Sequence, residues 1–241
     1  SSDVTVKAYI DPELYPATEL RSLIEEEIQQ LQSTFTMDFG PLALSIHMAD
    51  ESGWDDWKAQ YPPITMTEHL TIIPDWADYT PREDERIIRI EPGLAFGTGD
   101  HPTTRLAIQA MAQYLTPDST VFDVGTGSGI IALSAGALCA RSVTAFDLDE
   151  TATMNARNHV AMNQLESVVT VRTNNLLESV AETASLIVAN IITPILLRLL
   201  DDAYRCLEPK GVFIMSGIQE GEEQELINAA NDVGFVNIST T

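Results

Sequence analysis

The chain has 241 residues, 44% of them hydrophobic, which is enough to fill the core of one large domain or of a medium domain with a small companion. Its 13 glycines and 12 prolines exclude collagen-like and disordered classes, and two cysteines, Cys139 and Cys206, are too few to staple a secreted fold of this size. A net charge of −23, with 18 acids in residues 1–90 and 18 in residues 91–241, leaves no basic patch for a phosphate backbone, so nucleic acid is not an expected partner. Such a surface steers basic proteins or cationic substrates towards it, or simply keeps the chain soluble. The cysteine usage points to a reducing, cytoplasmic compartment, and no secretory h-region opens the chain. The most apolar stretch, Ser185 to Leu200, is broken by Asn190, Pro194 and Arg198, so no membrane span is expected.

In chain order, Val4, Val6, Ala8 and Ile10 alternate as a half-buried strand that stops at Asp11-Pro12. Leu20, Leu23, Ile24, Ile28 and Leu31 then recur at helical spacing, with Thr18 as a cap. Leu42, Leu44, Ile46 and Met48 alternate as a second strand, and Leu70, Ile72 and Ile73 form a third apolar run, which predicts a small α+β unit. The polar stretch Trp76 to Glu85 has linker composition, and a boundary is predicted near residues 78–86, before Ile87, Ile88 and Ile90. A helix is expected over Leu106–Leu115.

Beyond Thr120, strands are predicted at Thr120–Val124, Val143–Phe146, Val168–Val171, Leu186–Ala189, Val212–Met215 and Phe235–Ile238. Helices are predicted at Gly129–Leu138, Glu150–Asn163, Pro194–Cys206 and Glu222–Val233. Alternation of this kind gives a mostly parallel sheet with helices on both faces. The expected domains are residues 1–80, a linker and covering segment over 81–119, and a Rossmann-like domain over 120–241. A strand at each end of the chain predicts a trimmed chain or an exposed sheet edge.

The sharpest local signal is Asp123-Val124-Gly125-Thr126-Gly127-Ser128-Gly129, a glycine turn after an apolar strand and before a helix. Such a turn brings backbone amides against a ligand. A dinucleotide fingerprint would need glycine at position 130, where this chain has Ile130, which disfavours a nicotinamide dehydrogenase. Asp147 ends the next strand 22 residues after Gly125, the distance at which an acid meets ribose hydroxyls. Asp149 reads as the cap of the following helix. Asn190 closes a buried strand at the crevice end of the sheet, or alternatively forms a turn before Thr193-Pro194.

The segment Glu91 to Arg105 is too rich in glycine and proline for regular structure and too long to be idle. Within it Phe96 can cover a ring or a methyl group, Thr98 and Thr104 offer hydroxyls, and His101 is either a loop-ordering group or a base. The four histidines and two cysteines have no metal-ligand spacing, so no metal is expected.

The run Glu91 to Thr104, the turn Asp123 to Gly129, Phe146-Asp147-Leu148-Asp149, Ile187-Val188-Ala189-Asn190-Ile191 and Ser216-Gly217-Ile218 together resemble the ribosomal protein L11 methyltransferase family. The glycine turn is shared by many methyltransferases that use S-adenosylmethionine. Phe96-Gly97-Thr98-Gly99 with His101-Pro102-Thr103-Thr104 is the more specific element. The resemblance implies that Thr104, Gly125, Asp147 and Asn190 bind S-adenosylmethionine, with Phe96, Thr98 and Gly127 lining the same pocket. It implies methyl transfer to lysine and amino-terminal amines of ribosomal protein L11; because the amine must be neutral and aligned with the methyl group, Asn190 and Thr98 are expected to orient it in place of a dedicated base. The residues before about 80 then resemble part of the family's substrate-recognition domain. Asn175 stands where relatives often carry an acid near the adenine, and Ser185 where they carry Asp. A nucleoside-binding module without transfer activity, or a methyltransferase with another acceptor, is the competing reading.

Overall fold

The structure is a computed structural model that describes residues 61–92 and 101–240, together with residues 21, 22, 24 and 25. The expected strands at Val4–Ile10 and Leu42–Met48, most of the helix over Leu20–Leu31, and Phe96 and Thr98 lie outside the described residues. Arg21, Ser22, Ile24 and Glu25 are helical. The chain divides into compact units at Ser1–Ala59 and Gln60–Thr241; the second is described below.

It opens with a three-stranded sheet in the order β1-β2-β3, formed by β1 (Ile64–Thr67), β2 (Leu70–Pro74) and β3 (Arg86–Ile90). β1 and β2 form an antiparallel hairpin, whereas β2 and β3 run parallel, with Leu70 opposite Arg86 and Pro74 opposite Ile90. The polar stretch that reads as a linker is therefore the crossover between two strands of one sheet, and it is tied down. The Glu85 carboxylate accepts from Thr71 Oγ1 at 2.5 Å, from the Tyr79 hydroxyl at 3.0 Å and from the Arg82 backbone N–H at 3.0 Å. Arg82 in turn donates to the Glu68 carbonyl at 2.7 Å, and Arg89 to the carbonyls of Asp75 and Ala77 at 3.0 Å.

Next come α1 (Pro102–Tyr114), β4 (Thr120–Val124), α2 (Ile130–Ala137), β5 (Ser142–Asp147), α3 (Glu150–Met162) and β6 (Val169–Thr173). The described fold is completed by β7 (Ala184–Asn190), α4 (Thr193–Cys206), β8 (Leu207–Ser216) and α5 (Glu223–Val233). α1 starts earlier than Leu106 because Pro102 occupies its first turn, where a missing N–H costs nothing, and His101 caps it. The strands of the larger sheet pair in the order β6-β5-β4-β7-β8, all parallel. Chain order reverses between β4 and β7, which opens a crevice at the carboxyl ends of those two strands.

Period-two alternation sends the strand side chains to two separate cores. Val121, Val143, Leu186 and Val188 pack with α1, α2 and the small sheet, whereas Phe122, Val124, Phe146, Ile187 and Ala189 pack with α4 and α5. α4 covers its side with Leu196, Leu199, Leu200 and Ala203, the spacing of a single helical stripe. α2 buries every residue from Ile130 to Ala135, the signature of a helix enclosed on all sides. The predicted last strand does not form. Phe235 packs its ring on Tyr204 and Phe213, Val236 is exposed, and Asn237 has a φ of 58°, which breaks an extended backbone.

Three hydrogen bonds hold the Glu85 carboxyl down at about 2, with the Thr71 hydroxyl the largest cause and the Arg82 N–H next. A depressed carboxyl pKa stabilises the fold above the unfolded value near ~4.3 and ceases to do so as pH falls towards 2. Glu85→Gln should therefore melt below the parent at pH 7, and the gap should close between pH 4.5 and 2 in thermal melts across that range.

Candidate active site

The strand β4 ends in a turn that only glycine-rich sequence can make. Gly125, Gly127 and Gly129 have φ of 75°, 54° and 85°, in the left-handed region that side chains avoid. The N–H groups of Gly125 and Thr126 both donate to the Phe146 carbonyl, at 2.8 and 2.9 Å, which hooks the turn over the end of β5. A Cβ on Gly125 would lie 2.5 Å from Ile191 Cγ2, and one on Gly129 would lie 3.2 Å from the Ala156 Cβ of α3.

Asp147 stands beside this turn. Its Oδ2 accepts from the Gly127 N–H at 2.8 Å and its Oδ1 from the Asp149 N–H at 3.0 Å, and each oxygen keeps a second lone pair. Asp149 caps α3, accepting from the Thr151 N–H at 2.8 Å, as its position in the sequence predicts. Across the crevice, Asn190 closes β7 and donates from Nδ2 to Thr104 Oγ1 at 3.1 Å, although the two are 86 residues apart. Thr104 is buried in the first turn of α1. The same helix start is fastened to β8 by Ser216 Oγ, which donates to the Thr103 carbonyl at 2.9 Å.

These groups surround one cavity of about 460 Å³, at the sheet's order reversal. Of the residues singled out in the sequence, the structure brings Thr104, Gly125, Gly127, Asp147 and Asn190 to its wall. His101 is not among them: its Nδ1 accepts from the Thr103 N–H at 3.3 Å as the cap of α1. Asn175 does line the cavity, and its amide donates to the Glu178 carboxylate, so an acid stands three residues further on. Ser185 is at the far end of the sheet, where it exchanges hydrogen bonds with Thr120.

Ile191, Ile195, Asn155 and Arg198 also line the cavity without having been singled out. Ile195 and Arg198 are three apart on α4 and so share a helix face, the signal by which they could have been found. Among the described residues, no group of three or more His, Cys, Asp and Glu is placed to hold a metal ion. No described helix is long and apolar enough to cross a membrane.

The cavity suits a nucleoside-bearing ligand. Its volume falls in the range of small-ligand sites, its carboxylate retains acceptor capacity for a pair of hydroxyls, and its glycine turn lets backbone approach closely.

Under the turn lies Asp123, fully buried, with Oδ2 accepting from Thr126 Oγ1 at 2.5 Å and from the Ala132 N–H at 3.0 Å. Its Oδ1 has no partner. Burial pushes this carboxyl up to about 7 against the two hydrogen bonds, and the Asp147 charge pushes the same way. The folded protein therefore binds this proton more tightly than the unfolded chain, so the group's contribution to stability falls as pH rises from about 4 to about 7. Asp123→Asn removes that dependence. Urea unfolding should show the variant gaining on the parent by on the order of 4 kcal/mol between pH 4 and pH 8.

The whole chain, residues 1–241, matches the family model described as ribosomal protein L11 methyltransferase. A relative of that name from Exiguobacterium sibiricum is 43% identical over 242 residues, covering 100% of this chain and 76% of its own length. One from Geobacillus kaustophilus is 40% identical over 240 residues, covering 96% of this chain and 74% of its own. The crystal structure of a ribosomal protein L11 methylase from Lactobacillus delbrueckii subsp. bulgaricus superposes with a TM-score of 0.70 at 36% identity. That match covers 75% of this chain and 93% of that one. A precorrin-6y C5,15-methyltransferase from Geobacter metallireducens, 14% identical with a TM-score of 0.50, shares the fold. The chain belongs to the ribosomal protein L11 methyltransferase family.

Proposed function

We propose that this protein transfers methyl groups from S-adenosylmethionine to amines of ribosomal protein L11, at lysine side chains and the amino terminus. When bound, S-adenosylmethionine supplies an electrophilic methyl group on a sulfonium. Residues 120–241, with Thr104 from α1 and with Phe96 and Thr98 from the preceding segment, would hold it, and the amino-terminal residues would recognise the protein substrate. A net charge of −23 favours approach of a basic partner.

The observation that carries this reading is the convergence of Asp147, the glycine turn and Asn190 on one cavity. Asp147 has acceptor capacity for the ribose hydroxyls beyond the two N–H groups it already binds. Thr104 takes one hydrogen of the Asn190 amide, which fixes that amide's orientation and leaves Oδ1 to accept from an incoming amine. A lysine amine reacts only when neutral, and its ordinary pKa is near ~10.4. Apolar walls at Ile191 and Ile195 disfavour the ammonium form, and an acceptor at Asn190 Oδ1 orients the remaining N–H so that the lone pair faces the methyl group. Asn190 thus orients the amine, and Thr98 is assigned the same task from the sequence; no dedicated base is required.

The test is transfer of labelled methyl to purified L11, with mass spectrometry to locate it. Label on lysine and the amino terminus is the expected result, and label on no amine of L11 overturns the substrate. Asp147→Ala should weaken cofactor binding by at least tenfold in calorimetry, because it removes a charged acceptor. Thr104→Val removes a hydroxyl from the cavity wall and frees the Asn190 amide to rotate, so turnover should fall about tenfold further than cofactor affinity does. Turnover falling no further than cofactor affinity would overturn the orienting role.

A further inference from the structure

His159 lies on α3, 3% exposed, and is not among the residues that line the cavity. Both of its ring nitrogens are used by backbone. Nδ1 is 2.8 Å from the Ser128 carbonyl, and Nε2 is 3.0 Å from the Glu91 N–H. A carbonyl can only accept and an N–H can only donate, so the ring carries its hydrogen on Nδ1 and offers a lone pair at Nε2.

The turn is thereby gripped at two successive residues. Asp147, which lines the cavity, accepts from the Gly127 N–H, and His159, which does not, donates to the Ser128 carbonyl. The same imidazole reaches the end of β3, whose edge is also held by Asn163. Asn163 Oδ1 accepts from the Arg89 N–H and its Nδ2 donates to the Arg89 carbonyl, both at 2.7 Å, in the manner of a neighbouring strand. Behind Gly129 there is no slack, because Ala156 of α3 lies within 3.2 Å of where a Cβ would be.

We infer that His159 is a positioning residue for the cofactor cradle: by donating to the Ser128 carbonyl while accepting from the Glu91 N–H, it fixes the Ser128-Gly129 peptide and, through it, the path of the preceding Gly125-Thr126-Gly127 backbone that lines the cavity. This rests on the cofactor reading above. The two ties can be separated by substitution. An asparagine amide places its Nδ2 near the position of the imidazole Nδ1, which keeps the Ser128 tie and drops the Glu91 tie. A glutamine reaches the position of Nε2 with an acceptor, which keeps the Glu91 tie and drops the Ser128 tie. Leucine keeps the volume and drops both.

The experiment is calorimetric titration of the full chain and its His159→Asn, His159→Gln and His159→Leu variants with S-adenosylmethionine, beside a thermal melt of each apo protein. The expected result is a Kd within about threefold of the parent for Asn and raised about tenfold for Gln and Leu, irrespective of the order of melting temperatures. Affinities that are all parental, or that follow the loss of melting temperature with Asn and Gln alike, would overturn the inference. If Leu fails to fold, the contrast between Asn and Gln decides the matter. A parent chain that does not bind S-adenosylmethionine overturns the cofactor reading itself, and that failure is seen before any variant is compared.

Discussion

The Phe146 carbonyl receives two successive N–H groups, from Gly125 and Thr126, and this bifurcated hook is the constraint from which the site follows. It requires β4 to turn back over the end of β5 within two residues, a path that needs positive φ at Gly125 and again at Gly127. Once the chain takes it, α2 starts directly above the sheet and is enclosed on every side, and Asp123 is sealed beneath the turn with the Ala132 N–H as one of its donors. The space left in front of the turn is the cavity. Sheet order places that space beside β7, so the end of β7 forms the opposite wall.

The opposite wall is assembled from parts distant in sequence. Asn190 meets Thr104 across 86 residues, and Ser216 reaches Thr103 across 113. These two hydrogen bonds fix the first turn of α1 to the carboxyl ends of β7 and β8 at once. Ile191 is pinned between them, with its N–H on the Ser216 carbonyl and its backbone so close to Gly217 that a Cβ there would lie 2.8 Å from the Ile191 carbonyl oxygen. A polar amide at a strand end is thereby held by its neighbours on both sides, which is what an orienting group needs if it is to act without being a strong acid or base.

Charge is distributed in two ways around the same centre. Asp147 is held at the surface of the cavity by backbone N–H groups, whereas Asp123 is buried and shifted towards neutrality. Asp147 lines the cavity, and its charge adds to the burial that raises the Asp123 carboxyl beneath the turn.

Much of this was legible in the residues. Most strand and helix spans from Thr120 to Val233 follow from local periodicity and capping, because each element must bury one face and Asp149, Gly129 and Gly234 mark their ends chemically, whereas β8 begins at Leu207, five residues before the expected Val212. The glycine turn and Asp147 were legible for the same reason: a chain reversal that tight admits few residue types. Tertiary structure alone decided the remainder. Polar composition made Trp76 to Glu85 read as a linker, yet the buried Glu85 carboxylate binds it into a crossover within one sheet. Apolar alternation made Phe235 to Ile238 read as a strand, yet Phe235 found aromatic partners on α4 and β8 instead of an edge to pair with. His159 and the partnership of Thr104 with Asn190 carry no local signature, because their roles arise from contacts that exist only once the sheet has brought separate segments together.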